Sequence, residues 1–262
     1  MTNFRSILEV TASEWLDGLQ LSENEIPDCV IVEGSWWRHE RQTWRLNYLS
    51  EVRELGFPDL FWGRWQDKKV VFCMAYGAAR AVEVIYMFSL LGTGLSVQIG
   101  TCGGLQPELK PGDIVIPDEV VSEDGVGHLF GRGATTSATA ESVAQAARAL
   151  VERGRTVHVG KHVTFSSLFA ETVEMMESWH TEGFLAVDME AATTLSVAEH
   201  FDRSAVALLV VWDELTRGRR FLDPMTDEEL QALNQGNKDV FEVALELVAA
   251  QPDQTDANSK SV

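Results

Sequence analysis

Cysteine is scarce in this chain. Its 262 residues hold three, Cys29, Cys73 and Cys102, with no CxxC pair and no even spacing. That excludes a disulfide framework and fits a reducing compartment. Positive charge is also short: 21 Lys and Arg stand against 40 Asp and Glu, a formal charge of −19. Phosphate backbones and anionic bilayers are held by positive surfaces, so nucleic-acid and membrane partners are excluded; a small anion in a locally basic pocket is not. No run of about 18 uncharged apolar residues occurs, and the opening MTNFRSILEVTASEWLDGL lacks the basic start and apolar stretch of a signal peptide. A soluble, cytoplasmic protein is expected. GxGxxG, GK[ST] and HxH are missing, which removes the dinucleotide fingerprint and the P-loop, and the one HxxxH pair, His158 and His162, falls within a β-branched run and not on a helix.

What is present is enough apolar content, 45%, to bury a full core. The length suits one large α/β domain over 1–250, followed by a polar tail, 251–262, with too little apolar content to fold. Short β-branched runs at 28–33, 69–74, 96–99, 113–117, 157–164 and 205–211 read as strands. Segments of helical period at 38–55, 78–91, 140–153, 172–182, 190–200 and 227–250 alternate with them. Strands that are apolar on both faces, such as 206–211, imply a central sheet with helices on each side, a three-layer α/β/α fold.

The most distinctive segment is Val97-Gln98-Ile99-Gly100-Thr101-Cys102-Gly103-Gly104, a strand that runs into three glycines within five residues. Such a turn brings backbone N–H groups close to a ligand at the carboxyl end of a strand, where open α/β sheets bind. Taken alone it reads first as a plain tight turn. It is followed by Gly112-Asp113-Ile114-Val115-Ile116-Pro117, then Val187-Asp188-Met189-Glu190-Ala191-Ala192, then Val210-Val211-Trp212-Asp213. In that order these segments resemble the G-[ST]-[CA]-G-G, GDIVIP, V-[ED]-M-E-[AG]-A and V-S-D motifs of the nucleoside phosphorylase and nucleosidase family. The resemblance runs from about residue 28 to about 215.

That resemblance implies a mixed central sheet, no metal and no organic cofactor, and cleavage of an N-glycosidic bond. The bond breaks as positive charge builds on the ribose and negative charge on the departing base, so a catalyst must anchor the sugar and protonate the base. Glu190 is the expected acceptor for ribose hydroxyls, with Met189 packed on the sugar; an acid at a helix start also serves the helix dipole alone. Asp213 ends a buried apolar run, where desolvation raises a carboxyl pKa and equips it as a general acid toward a purine N7. Phe169 matches the family's base-stacking aromatic, Thr101 and Gly103 the glycine turn, and Trp212 replaces the serine before the aspartate.

Two nucleophiles fit. Phosphate would be held by Gly34, Thr101 and Arg38, with Arg53 matching an arginine that family hexamers lend to a neighbour. Gln98, however, stands where the phosphorylases carry a phosphate-binding arginine, and Tyr76 lies within their G-M-G turn. Arg80, in the following helix, is a substitute charge. Water would instead need a carboxylate, for which Glu33 is the candidate. A non-catalytic nucleoside-binding protein is the third reading. Arg217, Arg219 and Arg220 form a basic cluster near Asp213. The family's trimers and hexamers imply a homo-oligomer.

Overall fold

The computed structural model describes residues 5–130 and 133–251; the tail expected at 251–262 lies outside these apart from Gln251. In chain order the elements are α1 (Ala12–Leu19), β1 (Cys29–Gly34), α2 (Arg38–Leu46), β2 (Ser50–Glu54), β3 (Leu60–Trp65), β4 (Lys68–Met74), α3 (Ala78–Leu91), β5 (Leu95–Gly104) and β6 (Ile114–Glu123). They continue with β7 (Thr135–Ser137), α4 (Ala140–Glu152), β8 (Val157–Phe165), α5 (Val173–Thr181), β9 (Ala186–Asp188), α6 (Ala191–His200), β10 (Ser204–Glu214) and α7 (Asp227–Ala249).

All the strands join one mixed sheet in the order β10-β6-β8-β9-β5-β1-β4-β3-β2, with β7 on the flank of β6 and a further pairing of β10 with β5. The pairing of β10 with β5 returns the sheet on itself, because β5, β10, β6, β8 and β9 follow one another in a closed circuit. Strands β4, β1, β5 and β10 run parallel, so their carboxyl ends converge on one rim. Residues 206–211 of β10 are fully buried, because both faces of the strand are covered. On one face lie Val30, Val32, Val84, Phe88 and Leu195, packing α1, α3 and α6 against the sheet. On the other lie Ile31, Ile99, Leu208, Leu150 and Phe241, which bring in α4 and α7. Each fully buried Leu, Val or Ile contributes about 1.5–3 kcal/mol.

The expected helix over 38–55 is corrected: α2 stops at Leu46, and residues 50–54 form an edge strand against β3. The Ser50-Glu51-Val52-Arg53-Glu54 strand is exposed along nearly its whole length and therefore carries no alternation to read. α1, β3, β7 and β9 also went unread in the sequence.

Glu33 is the second correction. It is 1% exposed on the β1 face away from Gly34, and its carboxylate is held bidentately by fully buried Arg45, with Nε to Oε2 at 2.8 Å and Nη2 to Oε1 at 3.1 Å. Arg41 approaches the same carboxylate at 3.5 Å, and Arg45 also donates to the Asn237 carbonyl and lies 4.7 Å over the Phe241 ring. A carboxylate so occupied joins α2 to β1 and α7, and Glu33 is not among the residues lining the cavity at the strand rim. Because removing one partner strands a buried charge, Arg45→Met should cost about 3–5 kcal/mol, read as a lower urea midpoint at unchanged slope.

Candidate active site

The rim where β1, β5 and β10 end encloses a cavity of about 310 Å³. Glycine makes the room. A Cβ at Gly34 would overlap the Glu190 carboxylate, and one at Gly103 would fall 2.7 Å from Leu215 Cδ1 and 3.2 Å from Asp213 Oδ1. Of the residues singled out from the sequence, Gly34, Thr101, Gly103, Met189, Glu190, Trp212 and Asp213 all line this one space. They come from three strands and the start of α6.

Glu190 sits at the N-cap position of α6, but its side chain does not cap the helix. Asp188 does: its Oδ2 accepts from the Glu190 and Ala191 N–H groups at 3.1 and 2.8 Å, and its Oδ1 accepts from Thr164 Oγ1 at 2.6 Å beside His162 Nε2 at 3.1 Å. The Glu190 carboxylate is thereby left to face the cavity, where Gly77 N–H donates to its Oε1 at 2.5 Å. Burial, then the neighbouring Asp188 charge, push Glu190 up to about 8, with the Gly77 hydrogen bond opposing them.

Asp213 follows a bulge in β10. Val211 pairs with Cys102 and Asp213 with Gly103, so Trp212 is the extra residue; its side chain packs against the core on the α4 and α7 side and also lines the cavity. Burial raises Asp213 to about 7. Glu171, two residues beyond Phe169, also lines the cavity and is raised to about 7 by burial and then by Asp213.

Other expectations are placed differently. Phe169 is not part of the lining; its ring is 83% exposed and stacks beside Trp36 at 6.1 Å. Arg38 is paired with Asp59 at 2.7 Å and lines an adjoining open cleft with Arg80. Arg53, on β2, pairs with Glu25 at 2.8 Å and lies over Trp62, away from the cavity. Arg217 and Arg219 are held by Glu214, and Arg220, which reaches the lining, is paired with Asp223 at 3.2 Å. None of the three meets Asp213. Gln98 is fully buried; its Nε2 donates to the Ile99 carbonyl at 3.4 Å and its Oε1 has no partner among the described residues.

Sequence reasoning missed Glu171, Asp188 and Phe221 as site residues. Asp188 had a signal, since an acid two residues before Glu190 is suited to cap the helix. Glu171 stands just ahead of the helix start at Thr172 with no motif around it, and Phe221 reaches the cavity only by a loop fold-back. Among the described residues no group of three His, Cys, Asp or Glu is arranged to hold a metal.

A twisted mixed sheet covered by helices, with a glycine-walled pocket carrying one carboxylate from a helix start and one from a strand end, describes an enzyme of the phosphorylase class. Residues 49–249 match the family model for the phosphorylase superfamily, and the chain belongs to that family. It is 31% identical to the DeoD-type purine nucleoside phosphorylase of Roseobacter denitrificans, over 87% of this chain and 96% of that protein. The guanosine phosphorylase of Halorubrum lacusprofundi is 25% identical over 88% and 97%. Uridine phosphorylase from Vibrio fischeri superposes with a TM-score of 0.75 at 18% identity, covering 88% and 95%, a likeness of fold.

The raised Asp213 pKa carries a stability consequence. Between about pH 4 and 7 the folded state holds a proton that the unfolded state has lost, so stability falls as pH rises through that window and then levels. Asp213→Asn should remove this loss: its advantage over the parent grows from pH 4 to 7, reaching a Tm gain of about 2–4 °C or more at pH 8 by calorimetry.

Proposed function

We propose that the chain is a nucleoside phosphorylase that cleaves the N-glycosidic bond of a purine-type nucleoside. The observation that carries this reading is the convergence of Glu190 and Asp213 on one glycine-walled cavity. Glu190 accepts hydrogen bonds from the ribose hydroxyls and steadies the cationic sugar, with Met189 against its face. Asp213, raised to about 7, is protonated in a large share of molecules at neutral pH and gives that proton to the departing base. The lining turn of Thr101 and the Gly34 backbone offer donors to a phosphate oxygen that attacks C1′, yielding ribose 1-phosphate. The names of the relatives, purine nucleoside and guanosine phosphorylase, support this choice of substrate and nucleophile.

Water is the second reading, and one observation favours it. Gln98 brings no charge, Arg38 is tied to Asp59, and the lining arginine is paired outward, so a phosphate dianion meets no uncommitted guanidinium among the described residues. A lost charge-assisted contact weakens binding by roughly tenfold to a hundredfold. A high phosphate KM is thus expected even for a phosphorylase.

The reading extends to one domain over 1–250 acting in the cytoplasm as a homo-oligomer. Phe169, Val173 and Leu222 stand exposed near the mouth, an apolar rim suited to a second copy. No helix among the described residues is long and apolar enough to cross a membrane.

Base release from inosine, guanosine and adenosine, followed by chromatography with and without phosphate, tests the proposal. Release that needs phosphate and gives ribose 1-phosphate is expected; release of free ribose without phosphate transfers the nucleophile role to water. Since the proton on Asp213 is required, kcat/KM should fall about tenfold per pH unit above pH 7. A flat profile across pH 6 to 9 removes Asp213 from the role of acid.

A further inference from the structure

Two histidines on β8 are bonded to two different carboxylates. His158 Nε2 lies 3.1 Å from Asp113 Oδ2, and His162 Nε2 lies 3.1 Å from Asp188 Oδ1. Four residues of strand set the rings about 13 Å apart along the chain, too far to share a metal. His158 is half-buried, whereas His162 is fully buried. The register neighbours of His162 are Val120 on β6 and Ala186 on β9, both fully buried and both part of the apolar core that holds Ala192 and Leu195 of α6. Among the described residues its Nδ1 has no hydrogen-bond partner, and Asp188 is the one charged group bonded to the ring.

These contacts fix where the ring proton resides. Asp188 already accepts from the Glu190 and Ala191 N–H groups through Oδ2 and from the Thr164 hydroxyl through Oδ1. A carboxylate in that role has no hydrogen to give, so Nε2 is the protonated nitrogen and Asp188 Oδ1 accepts from it. A second proton on Nδ1 would bury an N–H without an acceptor among apolar neighbours, which is unfavourable. The ring is therefore uncharged, and the pair keeps the whole negative charge of Asp188. Asp188 lines the cavity, and in a dry site such a charge acts strongly on positive charge that develops nearby. We propose that His162 is a positioning residue for the glycosidic reaction: an uncharged, Nε2-protonated imidazole that locks Asp188 as the α6 cap and preserves its charge beside the sugar. The inference rests on the glycosidic reading above.

Two effects pass through this one hydrogen bond. The first is geometric. With Oδ1 held to β8 by His162 and Thr164, Oδ2 is turned to the start of α6, and the Glu190 carboxylate is left to meet Gly77 N–H in the cavity. Without the ring donor, Thr164 alone holds Oδ1, and Asp188 is free to turn away from the helix start. The second effect is electrostatic. A charged ring would cancel Asp188 and remove the neighbour that, after burial, raises Glu190 to about 8. Both effects bear on the sugar as its charge develops and not on the base, so loss of the bond appears in kcat more than in KM.

Nitrogen NMR of protein labelled in its histidine rings, near neutral pH, reads the ring state directly, with His162→Gln identifying the signals. A protonated Nε2 and a bare Nδ1 are expected. A protonated Nδ1, alone or together with Nε2, overturns the inference whatever the cleavage assays show. Base release per folded protein reads the reaction. His162→Leu should lower kcat about tenfold or more with KM changed by less than about threefold, and His162→Gln, whose amide N–H stands in for Nε2, should recover most of the loss. Equal losses in the two variants, or a lower melting temperature with kcat unchanged, overturn the inference, because packing alone would then account for the ring. No base release by the parent protein, with Nδ1 bare, defeats the glycosidic reading and leaves Asp188 locked by an uncharged ring.

Discussion

One buried carboxylate, Asp188, holds the site in register. It accepts hydrogen bonds from the Thr164 hydroxyl and from two backbone N–H groups at the start of α6, beside the fully buried His162. β8, β9 and α6 meet at this point. Because Asp188 satisfies the helix start, Glu190 is freed from capping and stands in the cavity, where the Gly77 N–H donates to it. The arrangement has a cost: the Asp188 charge, after burial itself, drives Glu190 well above the usual carboxylate range. In the function proposed, a ribose offering two hydroxyl donors relieves that cost, which gives a physical sense to keeping an acid in so dry a place.

The opposite wall is governed by the bulge at Trp212. One extra residue in β10 sends an indole to the helix side of the sheet, where it stacks with Trp37 and Phe221, and leaves Asp213 beside Gly103. The same irregularity therefore supplies both the acid and the aromatic wall. Relatives described as phosphorylases share the fold. This chain carries a neutral, buried Gln98 on β5 and five rings around its cavity. Its pocket is short of cations and rich in π surface and carboxylate, a balance in line with the net charge of −19.

The parallel core was legible from the sequence because its strands are β-branched runs buried on both faces and its helices carry a clear 3.6-residue period. The ordered motifs carry Thr101, Gly103, Met189, Glu190 and Asp213, and with Gly34 at the end of β1 they line one cavity, since each lies at a strand end or helix start that the fold brings to the same rim. What failed were assignments by neighbourhood alone. Glu33 lies next to Gly34, yet alternation turns it to the other face of β1, into Arg45. For Arg53 only the secondary structure changed: it was read within a helix and sits on an exposed edge strand whose charged residues imitate a helix face.

The sequence by itself determined the α/β class, the order of the strands and helices that build the core, and the two carboxylates, because local period and motif spacing encode them. The tertiary structure decided the partners: which arginines are already spent on Asp59, Glu214 and Asp223, that Glu171 shares the cavity with Asp213, and that five rings close around it. Those facts depend on contacts between residues up to about two hundred positions apart, such as Arg45 with Asn237. No local pattern records them, because the energy of a pair is set by distance and burial in space and not by separation along the chain.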